Sequence, residues 1–244
     1  MLYARDCKTN YENFEARCPT CGEWNIFNRA TDFGDFSPIS FREVTCLRKE
    51  CGARFAINGD SADPGYAEFL FEVFNLREQK RYALCVVAIA QAYEMFFAHF
   101  LREQLALKLF DPTDHHSSVA ELNRLLELIY STSRKWAFQL MRNVFINVAL
   151  MNEPQNLAEG ETIVRQLSDL TTTPDDMTIN ACPHPETRAL LQRLKGSKIA
   201  EVRNQVAHKN GYRPTFDEMN SLFDEARDLI WELAEIFDVR YDSL

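Results

Sequence analysis

The chain has 244 residues, of which 46% are hydrophobic and 26% are charged, with 18 Phe, 8 Gly and a formal net charge of −9. This composition excludes disordered, collagen-like and low-complexity proteins, because so apolar a chain can bury enough surface to offset its ordering entropy. The acidic balance also argues against a protein that coats nucleic acid non-specifically, since that mode needs many unopposed Lys and Arg. The acidic net charge does not exclude a local basic site.

The start of the chain shows no targeting segment, because the first residues lack the apolar stretch of a secretory signal. The longest apolar run, 82–90, is well short of the roughly 20 residues that span a bilayer. We therefore expect a cytoplasmic protein that does not use a membrane. In a reducing cytosol the seven cysteines are not expected to form a disulfide framework, so their spacing is of interest for metal binding.

Two cysteine pairs near the N-terminus have the spacing of a zinc site. Cys18 and Cys21 are separated by two residues, Cys46 and Cys51 by four, and a Gly follows each pair. Zinc prefers four soft ligands in a tetrahedron, and a short turn between two cysteines lets their thiolates converge while Gly permits the tight bend. We therefore predict that these four cysteines hold one zinc ion.

This zinc is expected to be structural, because four cysteine ligands leave no open coordination position. The pattern resembles a zinc ribbon, in which short antiparallel strands bring two such turns together, and the candidate strands are 24–27, 41–45 and 54–57. A unit this small buries little core, so metal binding should contribute much of its folding free energy. Two alternatives stay open, namely unligated buried cysteines and a site in which Cys7 replaces one ligand.

The composition changes near Asp63 and Pro64, where we place the boundary between a zinc ribbon over 1–63 and a helical domain over 64–244. Asp followed by Pro is a favourable helix entry. After this point apolar residues recur at three- and four-residue intervals. The predicted helices cover about 65–78, 80–109, 119–130, 132–151, 155–170, 186–210 and 216–238, with a loop over 171–185. We therefore expect a mainly α fold, an all-helical bundle preceded by a small zinc-ribbon domain.

Three features predict details of the bundle. The helix over 80–109 is apolar nearly all round in its first half, which is typical of a central helix. Ser118 with Glu121, and Thr215 with Glu218, fit capping boxes that open two of the helices. These boxes predict helix starts at about 119 and 216.

A second candidate site lies at the end of the predicted helix over 186–210. Asn204 and His208 are four residues apart and share a helix face, and the long side chain of neighbouring Arg203 can reach a common anion. The segment 188–213 contains seven Lys or Arg and one Glu, a local net charge of +6. This pattern favours a phosphate-sized anionic ligand.

An all-helical domain whose penultimate major helix ends in Arg-Asn-x-x-Ala-His, here 203–208, resembles the HEPN superfamily (higher eukaryotes and prokaryotes nucleotide-binding). The helix that contains Glu94 is similar to the HEPN helix that carries an acidic residue packed towards this motif. The resemblance covers about 66–240 and excludes the ribbon. It implies a metal-independent endoribonuclease of toxin or phage-defence type that binds RNA as a homodimer, with a cognate antitoxin as a candidate partner.

The residue types suit attack of a ribose 2′-hydroxyl on the adjacent phosphodiester. His208 can act as general base or acid, Arg203 offers a guanidinium to the phosphate oxygens, and Asn204 can orient either group. Glu94 is expected to hold Arg203 in position.

Less specific interpretations stay open for the same residues. His208 can simply cap the helix C-terminus, and Glu94 can be a buried structural partner of any Arg. The whole domain can be a degenerate HEPN domain that binds RNA, nucleotide or protein without cutting. The alternative function is therefore a non-catalytic interaction or nucleic-acid-binding protein that works through its zinc ribbon.

Overall fold

The structure is a computed structural model that describes residues 2–4 (backbone only), 13–34, 42–57, 65–110, 119–209 and 211–239. These residues fall into a smaller compact unit, formed by 2–4, 13–34, 42–57 and 119–123, and a larger one formed by 65–110, 124–209 and 211–239. The described chain is a small β region followed by a helical bundle, so the predicted mainly α fold class is confirmed. Several residues of the sequence predictions lie outside the described part, namely Cys7, Phe41, Asp63, Pro64 and Ser118.

The β region contains the strands β1 (Leu2–Ala4), β2 (Asn13–Arg17), β3 (Trp24–Asn28), β4 (Arg42–Thr45) and β5 (Arg54–Ile57). β3 lies between β2, to which it is antiparallel, and β1, to which it is parallel, while β4 and β5 form an antiparallel hairpin. The three predicted strands correspond to β3, β4 and β5. β1 and β2 were not predicted, and pairing with β3 defines them.

The described part of the smaller unit has one aromatic core that continues into the cysteines. The rings of Phe14 and Phe33 stack with their centroids 5.5 Å apart, and the Phe55 ring meets Phe27 edge-on at 6.4 Å. Cys18 and Cys46 are buried in the same cluster. The thiols therefore belong to the interior of this unit.

The helices are α1 (Gly65–Glu78), α2 (Tyr82–Leu105), α3 (Val119–Ser133), α4 (Phe138–Ala149), α5 (Leu157–Gln166), α6 (Asp176–Asn180), α7 (Pro185–Gly196), α8 (Ile199–His208) and α9 (Phe216–Ile236). The bundle is built around α2, on which α1, α4, α5, α8 and α9 pack. By length and composition the segment Tyr82–Leu109 could cross a membrane, but 61% of its apolar window is buried inside the protein. That burial is typical of a central core helix, as predicted for this segment.

The structure differs from the sequence prediction in three places along the bundle. The predicted helix over 132–151 begins only at Phe138, because α3 continues to Ser133 and residues 134–137 connect it to α4. The predicted helix over 186–210 is interrupted after Gly196, because Ser197 adopts an extended conformation and its hydroxyl oxygen accepts a hydrogen bond from the N–H of Ile199 at 3.4 Å. The predicted loop over 171–185 contains the short α6. Its start is capped by Asp175, whose carboxylate accepts the N–H of Thr178 at 2.7 Å.

Candidate functional site

The two predicted cysteine pairs meet in the smaller unit. The Sγ atoms of Cys18, Cys21, Cys46 and Cys51 all lie within 4.8 Å of one another. The Sγ–Sγ distance is 3.9 Å between Cys18 and Cys51 and 3.7 Å between Cys21 and Cys46. Four thiolates at about 2.3 Å from one tetrahedral ion lie about 3.8 Å apart. The cluster could therefore hold a metal ion.

A glycine with left-handed backbone follows each cysteine pair. Gly22 has φ of 72° and Gly52 has φ of 55°, a region that other residues rarely adopt. The N–H of Gly22 donates to the carbonyl oxygen of Cys18 at 2.8 Å, and the N–H of Gly52 donates to that of Arg48 at 3.1 Å. These tight turns direct the two thiols of each pair to the same side.

Sequence reasoning missed Asn25, which links the first sheet to the second cysteine turn. Its side chain is fully buried, and its Oδ1 atom accepts the N–H of Leu47 at 2.6 Å. Its Nδ2 atom donates to the carbonyl oxygen of Glu23 at 3.1 Å. Because Leu47 follows Cys46 directly, Asn25 positions this part of the cluster. The only signal in the sequence is an amide at an inward-facing position of β3.

The thiols of Cys18 and Cys46 differ in their pKa values in the absence of a cation. Burial raises the pKa of Cys46 to about 12. Burial also opposes ionisation of Cys18, but hydrogen bonds from the backbone N–H groups of Cys21 and Thr20 outweigh it and lower the pKa to about 7. Neighbouring thiols cannot all carry negative charge without a positive charge among them. Metal binding would therefore release protons.

The residues of the predicted anion site lie on the last two turns of α8. Asn204 and His208 are exposed, and His208 is the last helical residue. Arg203 is half-buried, and its Nη1 atom donates to the Oδ1 atom of Asn204 at 3.4 Å. Val202 and Ile199 are buried and anchor the helix, which packs on α2. One end of α8 thus presents an amide and an imidazole to solvent beside a guanidinium.

Glu94 of α2 lies where α2, α4 and α8 come together. Burial raises the pKa of Glu94, whereas the charge of Arg203 and a hydrogen bond from the N–H of Phe138 act in the opposite direction. Phe138 is the first residue of α4, and the preceding Ala137 supplies no side-chain cap. The Glu94 carboxylate therefore accepts a backbone N–H at the start of α4, where no side-chain cap is present, and it attracts the Arg203 guanidinium. Both predicted roles of Glu94, structural and positioning, are compatible with this arrangement.

The basic character of the neighbouring segment is partly neutralised by acidic groups elsewhere in the bundle. Arg193 forms an ion pair with Glu232 at 2.8 Å, and Lys195 forms one with Asp176 at 2.7 Å. The field around Arg203 is therefore less positive than the count along the sequence indicates.

Within one chain, Arg203 and His208 are not on the same face of α8. Five residues correspond to a rotation of about 140° and a rise of about 7.5 Å, in keeping with the partial burial of Arg203 and the exposure of His208. The catalytic roles of Arg203, Asn204, His208 and Glu94 stay predictions. No family model, curated protein or solved structure matches this chain.

Proposed function

We propose that this chain is a cytoplasmic HEPN-like endoribonuclease of toxin or phage-defence type, which cleaves RNA without a catalytic metal. The observation that carries the proposal is the grouping at the end of α8, where the Arg203 Nη1 atom donates to the Asn204 Oδ1 atom and where Asn204 and His208 are exposed. In-line attack of a 2′-hydroxyl on a phosphodiester needs proton transfer and stabilisation of a charged phosphorane, which an imidazole and a guanidinium can supply.

In this mechanism His208 takes the proton from the attacking 2′-hydroxyl or gives one to the leaving 5′-oxygen. An imidazole can take either role at neutral pH. Arg203 binds the non-bridging oxygens and stabilises the charge that develops on the phosphorane. Glu94 holds the guanidinium by charge from the core side, and Asn204 supports it through the contact between its Oδ1 atom and Arg203 Nη1.

Two observations support a homodimer with a composite site. The separation of Arg203 and His208 around α8 favours pairing of each with the counterpart from a second copy. On α2, Leu84 and Val87 are 49% and 42% exposed, and their spacing puts them on the same stripe as Glu94. Apolar side chains exposed along the helix that carries Glu94 are suited to contact with another subunit. A cognate antitoxin would be a further protein partner of this face.

We propose that the metal of the four-cysteine cluster is zinc and that its role is structural. A set of four thiolates at tetrahedral separations is the ligand set of structural zinc sites. Zinc in this site would cross-link the two cysteine turns and supply folding free energy to a unit with a small core. None of the cleavage steps uses it.

The test is cleavage of a structured RNA and of tRNA by the purified full-length protein in EDTA. The protein is loaded with zinc and desalted beforehand, and bound zinc is measured after the reaction so that loss of the structural ion is detected. We expect cleavage by the wild type, a loss of about 100-fold or more in His208→Ala, and normal rates in Gln205→Ala as a control on the same helix. No cleavage with zinc retained, or equal cleavage by His208→Ala, contradicts the proposal.

A second candidate function is non-catalytic recognition of nucleic acid by the β region. Arg17 and Trp24 are register partners on β2 and β3, and both are exposed. An exposed aromatic ring beside a guanidinium is typical of surfaces that stack unpaired bases. This alternative predicts that Trp24→Ala weakens binding of single-stranded RNA and that His208→Ala leaves function intact. Replacing Cys18 or Cys46 would abolish the function.

A further inference from the structure

A large groove lies within the larger unit, towards the C-terminal end of α2. Its volume is about 1260 Å³, and buried Phe100, Leu105 and Val148 contribute to its floor. Gln104, which also lines it, is about 15 Å along the axis of α2 from Glu94. Pockets for small molecules commonly occupy about 300–1,000 Å³. The size of this groove therefore favours a segment of a polymer as its ligand.

Two methionines lie at the edges of this groove. Met177 on α6 is 78% exposed, and Met151, just after α4, is 38% exposed. Methionine is flexible and polarisable, so it adapts to apolar side chains of different shapes and is common on peptide-binding surfaces. The groove therefore offers an apolar floor with adaptable edges.

The charges around the groove are negative. Glu153, Asp175 and Glu186 line it, and no Lys or Arg is found among the described residues of its lining. The C-terminal ends of α2 and α4 border it and add partial negative charge, against the N-terminal ends of α6 and α7. The end of α9 adds little, because the carbonyl oxygen of Phe237 accepts hydrogen bonds from Gln104 and Lys108. The Asp175 carboxylate is engaged in capping α6. The exposed Glu153 and Glu186 are therefore the acidic side chains that can contact a ligand. An apolar groove with acidic edges is complementary to an apolar segment that carries positive charge.

We propose that this groove binds a cationic amphipathic segment of a partner protein, with apolar side chains on the floor and Lys or Arg at the edges. Charge complementarity selects this occupant, because the acidic edges repel nucleic acid and anionic membranes. The proposal does not depend on the proposed ribonuclease function, since it uses none of the residues of α8 or Glu94.

The test is a titration of the full-length protein with a fluorescent Leu/Lys amphipathic peptide, a Leu/Glu peptide of the same length, and anionic vesicles. The protein carries ¹³C-methyl methionine for NMR. We expect the Leu/Lys peptide to bind and to shift the methyl signals of Met151 and Met177, while those of the buried Met141 and Met219 stay unchanged.

Charge-reversal variants separate this groove from non-specific attraction. The double variant Glu153→Lys with Glu186→Lys should bind the Leu/Lys peptide about tenfold more weakly, whereas Glu127→Lys, an exposed change on α3, should bind it normally. All of these substitutions are on exposed residues, and circular dichroism checks that the variant proteins fold. Absence of binding, equal binding of the Leu/Glu peptide, unaffected binding by the double variant, or methionine shifts caused by vesicles instead of the peptide would overturn the proposal.

Discussion

Replacing Glu94 separates its structural role from its action on Arg203. In Glu94→Ala the N–H of Phe138 loses its acceptor, a loss comparable to that of a helix N-cap and worth about 1 kcal/mol. In Glu94→Gln the amide oxygen can still accept this hydrogen bond, and the lost attraction to half-buried Arg203 is worth about 0.2–1 kcal/mol. The Gln variant also avoids the cost of burying a charge. This cost is the largest contribution to the raised pKa of Glu94.

These effects predict different stabilities for the two variants. At pH 7 the free energy of unfolding of Glu94→Gln should be within about 0.5 kcal/mol of the wild type, because the lost attraction and the avoided desolvation oppose each other. Glu94→Ala should be less stable than the wild type by about 1–2 kcal/mol, since α4 begins without an acceptor for its first N–H. RNA cleavage should fall in both variants, because neither holds Arg203 by charge.

The pH dependence of the free energy of unfolding shows whether burial or attraction to Arg203 has the larger effect on Glu94. Because the pKa of Glu94 is raised in the folded chain, the folded state binds more protons than the unfolded state between the two pKa values. The free energy of unfolding of the wild type therefore decreases relative to that of Glu94→Gln as the pH rises above about 4.3. Urea denaturation followed by circular dichroism, from pH 4.5 to 7.5 with zinc present, measures this difference. An increase of wild-type stability relative to Glu94→Gln over this range would contradict this prediction, because attraction to Arg203 would then outweigh burial.

Three further predictions concern the metal cluster and the packing of the helices. The protein should bind one zinc per chain. Removal of the metal, or the substitution Cys46→Ser, should raise amide exchange across 13–57 while the amides of α2 stay protected. Equal loss of protection in α2 would contradict a local role of the metal. Asn25→Ala should remove the acceptor of the Leu47 N–H and destabilise the smaller unit by about 1–3 kcal/mol, measured as faster exchange of that amide, and unchanged exchange would count against it. Gly160→Ala should destabilise the larger unit by about 1–3 kcal/mol in urea denaturation, because a Cβ there would lie 2.2 Å from a backbone oxygen of α2. This cost exceeds the advantage of about 1 kcal/mol that Ala has over Gly in a helix. Gly196→Ala is the matched control, since a Cβ there has no neighbour within 4 Å in the described part of the chain, and equal effects of the two substitutions would argue against the packing explanation.

Features that depend on local spacing could be predicted from the sequence. The cysteine cluster follows from two short turns, each followed by a Gly whose left-handed conformation is found in the structure. The start of α9 follows from Thr215, whose hydroxyl oxygen accepts the N–H of Glu218 at 3.1 Å. The central position of α2 follows from its nearly uniform apolar character.

Features that depend on distant partners could not be predicted. The role of Asn25 requires the N–H of Leu47, 22 residues away, and no local pattern indicates that pairing. The link between Glu94 and the start of α4 likewise depends on how the helices pack. The break between α7 and α8 was missed because Ser197 is compatible with a helix by composition alone, and its extended backbone is defined only in the folded bundle.

In the proposed mechanism, residues of α8 support attack by a 2′-hydroxyl on the adjacent phosphodiester without a catalytic metal. The most direct measurement is single-turnover cleavage in EDTA of an RNA whose cut site has been mapped, compared with the same RNA carrying one 2′-deoxyribose on the 5′ side of that site. We predict that the all-ribose RNA yields a 2′,3′-cyclic phosphate end and that the deoxy substitution, like His208→Ala, abolishes the cut. A cut that persists in the deoxy substrate, or one that leaves a 5′-phosphate, would contradict the proposed mechanism.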